Sequence, residues 1–537
     1  MAEKAHGLAS VVADVEDGCK GPEKQRDGDG GATTIAKRTQ QASFDRYINI
    51  LGIYNFGICL QAGWEAVGLS LSMAFFNGGP AVLIYGTIIS TLGHFCVAMS
   101  FAEMASMDPT IGAQYRWSAR FAQRWPEFWG LLQGWLTTFA WVLSCVAPLS
   151  FLALITQTLI GFWDLTYQPK PWHVTLIMWA FLVAAIVCNL FLRKILNTLE
   201  TIGGICHVVF FIVIIAVLAT LGGRSSPSFV FGTVVSDVSG WNNSGVSFHI
   251  GLLAVILPLF GYDSVIHMVD ETKKPRERVP KAMIFSLLTN GVMQLAYLLC
   301  VLFYIGDVDK VSASPLPILE ICYQATKSKA AATVMLLLHA FSQVIALFNI
   351  VASASRLTWA FARDKGLPFH EQFSRLHPTL KAPLEALALV AVISVILSLI
   401  NLGSTVALSA ILAIPSVVLL LSYFPPIFHI AMRKLSGRHP RYGPFKLGSW
   451  GLPLNCIGMA FSLYAAFWAA FPSSYPVSNK NMNYAGPVCI ALVLFALLDW
   501  FTTGKKRFEV PVGAYSIEME DESEVEVRGD DEKAVSQ

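Results

Sequence analysis

The chain has 537 residues, of which 54% are hydrophobic and only 14% are charged. Soluble globular proteins carry about 25% charged residues, so the composition excludes a soluble enzyme, a nucleic-acid-binding protein and a disulfide-rich secreted domain. The charges gather at the two ends, because residues 1–46 and 505–537 hold 30 of the 74 charged side chains. This distribution is typical of a membrane protein with several spans and polar tails.

The N-terminal segment 1–46 is rich in Gly, Asp and Lys and has no signal peptide, so we expect a disordered tail. Apolar segments of about 20 residues or more follow, and this length is enough to cross a bilayer. They predict an all-α polytopic membrane protein with a transporter domain at 47–504 and an acidic tail at 505–537. The twelve predicted spans are 48–72, 80–105, 127–160, 172–192, 198–222, 248–269, 282–305, 331–360, 383–402, 404–431, 451–471 and 484–503.

Lysine and arginine in the connecting segments predict the orientation. The loops that follow even-numbered spans hold 19 of these residues, and the loops that follow odd-numbered spans hold 6. Because cytoplasmic loops carry the excess of positive charge, we expect the even loops and both termini to be cytoplasmic. The sequon Asn242-Asn243-Ser244 then lies outside, so Asn242 is a predicted glycosylation site.

The first and sixth predicted spans share a pattern of glycine, aromatic residue, acid, small residue and valine. It reads Gly63-Trp64-Glu65-Ala66-Val67 in the first and, 198 positions later, Gly261-Tyr262-Asp263-Ser264-Val265 in the sixth. Interrupted spans at corresponding places in two halves of a chain are the best sequence indication of a transporter's binding site. We therefore predict that both helices unwind here.

The chemistry of this pattern suits a small solute. A carboxylate facing lipid costs several kcal/mol, so Glu65 and Asp263 should face protein or a water-filled cavity. Unwinding frees backbone groups to bind a substrate carboxylate or an ion, and aromatic faces hold ammonium groups. The alternative is that each acid is a structural partner for another buried polar group. The predicted substrate-binding residues are Gly63, Trp64, Glu65, Phe260, Gly261, Tyr262 and Asp263.

The eighth span carries a polar stripe that includes Asn349 and Ser353. These two residues either contact a coupling ion or substrate, or they hydrogen-bond to neighbouring helices. The ten cysteines are scattered without a CxxC pair, so we expect no metal and no cofactor. No nucleophile elbow or phosphate-binding glycine loop is present, which argues against an enzyme.

Four stretches carry a resemblance to a known family. Asn77-Gly78-Gly79-Pro80 precedes the second span; the others lie in predicted cytoplasmic loops. Segment 43–505 resembles the amino acid–polyamine–organocation transporters, and among them the fungal amino acid/choline permeases. The other three stretches are 102–115, similar to ELAS…P…GGQY; 270–282, similar to EE-x-x-x-P-x-x-x-x-P-x-A; and 355–368, similar to S-R…ARDGxLP.

The resemblance implies a leucine-transporter-like fold of two inverted five-helix repeats plus two further helices. The repeats would occupy about 48–222 and 248–431, and the extra spans 451–503. It also implies alternating access, with the substrate held between spans 1, 3, 6 and 8 and at the unwound positions 61–66 and 260–264.

We therefore expect a multi-pass plasma-membrane protein that imports a small nitrogenous solute, either choline or another amine, or an amino acid such as GABA. The resemblance favours a coupling proton, and sodium stays open. The acidic run from Glu518 to Glu532 leaves one alternative, a non-transporting nutrient sensor with a transporter fold. The tails would be sites for cytoplasmic regulators. The expected partners are the solute, the proton and the lipid bilayer, and not nucleic acid.

Overall fold

Helices make up the fold of this chain. The computed structural model describes residues 46–191, 196–403, 405–479 and 481–509. Within these ranges there is no β-strand, and the only β-type pairing is one isolated bridge between Ile48 and Thr272. The two predicted tails lie outside the described residues, except for Arg46 and 505–509.

The first predicted span, 48–72, is three consecutive helices in the structure. They are α1 (Ile50–Gln61), α2 (Gly63–Leu69) and α3 (Leu71–Phe76). The helix is interrupted between α1 and α2 because Ala62 has left-handed backbone angles, φ 45° and ψ 48°. A right-handed helix cannot include such a residue. The break is narrower than the predicted 61–66, since helix resumes at Gly63.

The remaining helices of four or more residues follow in chain order, several with short 3-10 or π turns at their ends. They are α4 (Thr87–Met107), α5 (Ala113–Phe121), α6 (Pro126–Ser144), α7 (Val146–Trp163), α8 (Pro171–Phe191), α9 (Leu196–Leu221), α10 (Pro227–Gly232), α11 (Ser244–Gly251), α12 (Leu253–Ile256), α13 (Ser264–His267), α14 (Pro275–Phe303), α15 (Val308–Ala313), α16 (Pro317–Thr326), α17 (Lys329–Arg363), α18 (His370–Phe373), α19 (Leu384–Gly403), α20 (Thr405–Leu435), α21 (Gly451–Ala469) and α22 (Ala485–Asp499).

Eleven helical segments in the described part of the chain are long and apolar enough to cross a membrane. The pair α6 and α7 counts as one of them, and so does the series α11 to α13. The predicted first span is not among the eleven, and its longest helix, α1, has 12 residues. The protein is therefore an all-helical multi-pass membrane protein.

Burial separates inner from outer helices. The most apolar 18-residue stretch of the segment Ala413–Leu435 is 72% buried, and that of Pro126–Trp163 is 67% buried. The corresponding stretches of Asn197–Leu221 and Ala485–Arg507 are only 22% buried. Since the exposed faces of these outer helices are apolar, they suit contact with lipid rather than water. The inner helices surround the interrupted segments.

The sequence stretches that carry the family resemblance contact one another at the helix ends. Arg116 donates two hydrogen bonds to Asp364, at 2.8 and 2.9 Å, and Tyr115 donates a third at 2.8 Å. Arg356 Nε lies 2.7 Å from Glu271 Oε1. These pairs tie the segment after α4 and the loop after α13 to the end of α17.

Burial by itself would raise the pKa of the Asp364 carboxyl, but the Arg116 charge and its hydrogen bonds outweigh burial. The pKa is therefore held below its usual value of 3.8, and Asp364 is a carboxylate at neutral pH.

Candidate functional site

The two interrupted helices meet at their breaks. In the second one, helix stops at Leu259, Phe260 is extended with ψ 158°, and helix resumes at Ser264. A Cβ atom placed on Gly261 would lie 2.2 Å from Leu60 Cδ2, so the two interrupted segments are in contact. The structure thus brings together two segments that are about 200 positions apart in the sequence.

A cavity of about 90 Å³ lies at this meeting point. Both breaks line it, together with residues of α6, α7, α17 and α20. No charged side chain is among the described residues that line it. Its aromatic lining residues are Trp141, Phe151 and Phe260, and its polar ones are Gln61, Ser144, Gln343 and Ser416.

Two amide side chains in the lining have polar atoms without partners. Gln61 donates through Nε2 to Gly57 O at 3.0 Å and to Ser286 Oγ at 3.2 Å, while its Oε1 has no partner among the described residues. Gln343 Nε2 is likewise buried without a partner there. Buried polar groups are nearly always hydrogen-bonded in folded proteins. The cavity therefore offers one acceptor and one donor to a ligand.

Backbone groups at the first break are partly used. Gly63 N–H, which the sequence pattern offered to a substrate, donates instead to Asn290 Oδ1 at 2.8 Å. The same Asn290 donates through Nδ2 to Ile58 O at 3.4 Å, so one side chain binds both ends of the break. No hydrogen bond from the N–H groups of Trp64 or Glu65 is found among the described residues.

Backbone groups at the second break are less used. Gly261 and Tyr262 donate no backbone hydrogen bond within the described part of the chain. Because Gly261 also lines the cavity, this break presents an unused N–H group at the cavity. Phe260 and Gly261 are thus the two predicted site residues that line the cavity.

Glu65 and Trp64 point away from the cavity towards α9. Glu65 is fully buried, and its Oε1 lies 2.9 Å from His207 Nδ1. Trp64 donates from Nε1 to His207 O at 3.2 Å, and its ring packs 5.3 Å from the Tyr297 ring and 5.2 Å from His339. The neighbouring Ala66 lines the cavity. Different faces of α2 therefore meet the cavity and His207.

Asp263 and Tyr262 lie behind the second break. The Asp263 carboxyl accepts hydrogen bonds from Gln114 Nε2 at 2.7 Å and from Tyr423 OH at 3.0 Å. No Lys or Arg ion pair to Asp263 is found in the described ranges. The Tyr262 hydroxyl lies 3.4 Å from His94 Nδ1. These contacts fix the orientation of the break from α4, α5 and α20.

Asn349 and Ser353 lie on α17, on a buried face. Asn349 donates from Nδ2 to Glu200 Oε2 at 3.0 Å, and its Oδ1 has no partner within the described residues. Ser353 Oγ is also buried without a partner there. Neither residue lines the cavity.

Three residues important to this geometry were absent from the predicted set. Trp141 and Gln343 line the cavity, and Asn290 binds the first break. Gln343 belongs to the polar stripe of the eighth span, and Asn290 is a polar residue inside an apolar run, which is the signal that could have singled it out. Trp141 carries no such signal, because tryptophan is common in membrane helices.

Comparison with known proteins gives a consistent result. A family model described as amino acid permease matches residues 56–495. The chain is 29% identical over 440 residues to a Macrophomina phaseolina protein named as an amino acid/polyamine transporter, covering 80% of this chain and 96% of that one.

Two other fungal relatives are similar along most of their length. The choline transporter of Saccharomyces cerevisiae is 29% identical over 470 residues, 86% of this chain and 81% of the relative. Amino-acid permease 2 of Neurospora crassa is 28% identical over 497 residues, 90% and 88% of the two chains.

Proposed function

Since the chain belongs to the amino acid permease family, and is a transporter rather than an enzyme, we propose that it imports a small nitrogenous solute with a cationic head. The observation that carries this proposal is the cavity at the meeting point of two broken helices, lined by aromatic rings and by two amide side chains that each have one atom without a partner among the described residues. Choline or a related amine is the first candidate substrate.

The lining explains why a quaternary ammonium suits the site. Trp141, Phe151 and Phe260 present aromatic rings, which attract cations without needing a hydrogen-bond donor on the ligand. The hydroxyl of choline can donate to Gln61 Oε1 and accept from Gln343 Nε2. A lining without charged side chains also avoids binding the cation too tightly for release.

One observation favours the second candidate, an amino acid such as GABA. The unused N–H groups at Gly261 and Tyr262 are suitable donors to a carboxylate. The choice between the two candidates therefore turns on whether the solute must carry an anionic end.

Transport would proceed by alternating access in a leucine-transporter-like architecture. In this proposal α1 to α3 together form the first span and bring the total to twelve. Two inverted five-helix repeats of about 48–222 and 248–431 precede two further helices. The breaks at Ala62 and at Phe260–Asp263 support it, since they occupy the first helix of each half. Trp64, Tyr262 and Asp263 would position the breaks from behind the lining.

The proposed location is the plasma membrane, with both termini in the cytoplasm and a coupling proton driving uptake. The excess of Lys and Arg in the even loops supports this orientation. The sensor alternative keeps the same fold but no net transport.

An uptake-competition experiment tests the function. Cells expressing the protein are given radiolabelled choline and GABA between pH 5 and 8, with polyamines and the common amino acids as competitors. We expect saturable choline uptake above control cells. Uptake of GABA but not choline would select the amino-acid candidate. If neither solute is taken up above control cells, transport of these solutes is contradicted.

A variant pair tests the site. Phe260→Ala removes a ring from the lining, and a desolvated cation–π contact is worth about 2 kcal/mol, so KM for choline should rise roughly tenfold or more. Phe285→Ala is the control, because Phe285 is 57% exposed on the outer face of α14. Equal KM values in the two variants would remove Phe260 from the site.

A further inference from the structure

The Glu65–His207 pair joins α2 to α9 and has features that no other buried acid in the described residues combines. Glu65 is 0% and His207 is 2% exposed, and they lie 2.9 Å apart. Each also has a second polar atom, Glu65 Oε2 and His207 Nε2, that is buried without a hydrogen-bond partner among the described residues. The hydrogen bond between them therefore uses only half of the capacity of each group.

The protonation states of this pair can be counted. With one proton on the imidazole and none on the carboxylate, the pair has a charge of −1. Adding one proton gives a neutral pair, either as carboxylate and imidazolium or as carboxylic acid and imidazole. Both neutral forms keep the 2.9 Å hydrogen bond, so the pair takes up or releases a single proton without losing its geometry.

Both charge states have a physical support. Burial opposes the charge of −1, whereas the hydrogen bond between His207 Nδ1 and Glu65 Oε1 favours the carboxylate. No Lys or Arg pairs with Glu65 within the described ranges. A fixed cation would favour the ionised carboxylate alone, whereas the Glu65–His207 pair has two charge states that share one hydrogen-bonded geometry.

The surroundings contain several other titratable groups. They are Cys59 on α1, Cys206 and Glu200 on α9, Tyr297 on α14, Cys322 on α16 and His339 on α17. Tyr297 OH lies 3.0 Å from His339 Nε2, so these two satisfy one another. Glu200, two turns before His207, is hydrogen-bonded to Asn349 and is the competing candidate for a proton carrier.

From this geometry we infer that the Glu65–His207 pair is the binding site of the coupling proton, separate from the solute cavity. The inference rests on the proposed transport function and adds to it the place of coupling. The link to the solute is α2 itself, since Ala66 on this helix lines the cavity while Glu65 meets His207. Protonation changes the charge at the start of α2, next to the bound solute.

The test separates exchange from driven accumulation in proteoliposomes loaded with the solute that the wild-type protein transports. A one-unit inward pH gradient should let the wild type accumulate solute up to about tenfold, if one proton accompanies each solute. Glu65→Gln and His207→Asn each keep a hydrogen-bonding side chain but remove the ionisable group. Each variant should retain solute exchange when the pH is equal on the two sides of the membrane. Under the pH gradient, the ratio of internal to external solute should fall to about one.

Two matched variants serve as controls. His429→Asn changes a buried histidine on α20 that contacts Trp129 and no acid, and it should accumulate solute as the wild type does. Glu200→Gln should also accumulate solute. Loss of driven accumulation in Glu200→Gln, with Glu65→Gln unaffected, would move the proton site to Glu200 and overturn the inference.

The remaining outcomes are also decisive. Loss of exchange together with accumulation, in both Glu65→Gln and His207→Asn at normal protein content, would mean that the pair acts on solute binding rather than on coupling. If one variant fails to reconstitute, the other decides. A wild-type protein that neither exchanges nor accumulates any solute would contradict the proposed function itself, and a wild type that exchanges without proton entry would contradict only the coupling.

Discussion

Gly261 is the residue whose identity the geometry of the site constrains most directly. Its φ is +95°, a region that residues with a side chain rarely adopt, and a Cβ there would lie 2.2 Å from Leu60 Cδ2. The second effect comes from the contact between the two broken helices. The glycine is thus required by the fold of the site as well as by any contact with the solute.

Gly261→Ala should therefore reduce uptake at least tenfold, because the strained backbone costs about 1–3 kcal/mol and the methyl group separates the two breaks. Uptake per molecule at the cell surface measures this. The control is Gly161→Ala on α7, where the nearest atom to a new Cβ is 4.0 Å away and uptake should stay normal. Normal uptake in Gly261→Ala would show that transport does not need the close contact between the two interrupted helices.

At the scale of elements, Asp364 connects three parts of the chain just after α17. Its side chain accepts from Tyr115 and Arg116 on α5, and its carbonyl accepts from Glu509 N beyond α22. The preceding residue of that segment, Phe508, is buried against Tyr115 and Phe361. The start of the C-terminal segment is therefore packed on the same helix ends as the Arg116–Asp364 pair.

Asp364→Asn should lower the thermal unfolding temperature in detergent, because it leaves Arg116 without its partner, and breaking a buried pair costs about 3–5 kcal/mol. The Asp364 pKa lies below 3.8, so the stabilisation is complete above that pH and is lost only as the pH falls below it. The difference from the wild type should thus be constant between pH 5 and 8. Asp307→Asn in an exposed pair should change little, and a difference that vanishes by pH 5 would contradict this assignment.

At the scale of the whole molecule, the orientation depends on a charge pattern spread over all the loops. The pattern places the loop containing Asn242 outside, and in the structure this side chain is exposed just before α11. Glycosylation of Asn242 stays a prediction that the fold permits.

Asn242→Gln should remove an N-glycan and increase the electrophoretic mobility of the protein to that of enzymatically deglycosylated wild type. Uptake should be unchanged, because the side chain that begins α11 is that of Asn243, whose Oδ1 accepts from Val246 N at 3.1 Å. Identical mobility of wild type and variant, each before and after deglycosylation, would contradict the outward placement of this loop.

The sequence by itself determined the class of the molecule and the places where two helices break. Long apolar runs form helices in lipid because the backbone must satisfy its own hydrogen bonds, and this depends on local composition alone. The breaks near Gly63 and Gly261 were visible for the same reason, since glycine, proline and an acid interrupt such a run. The family resemblance rested on short loop stretches that are equally local.

Only the tertiary structure decided which side chains of the breaks face the cavity. Neighbouring helical residues point about 100° apart, so Ala66 lines the cavity while Glu65 meets His207, 142 positions away along the chain. Asp263 is held by Gln114 and Tyr423, and Gly63 by Asn290, all from distant helices. Such partners follow from how helices pack, and packing is set by the whole chain rather than by any one segment.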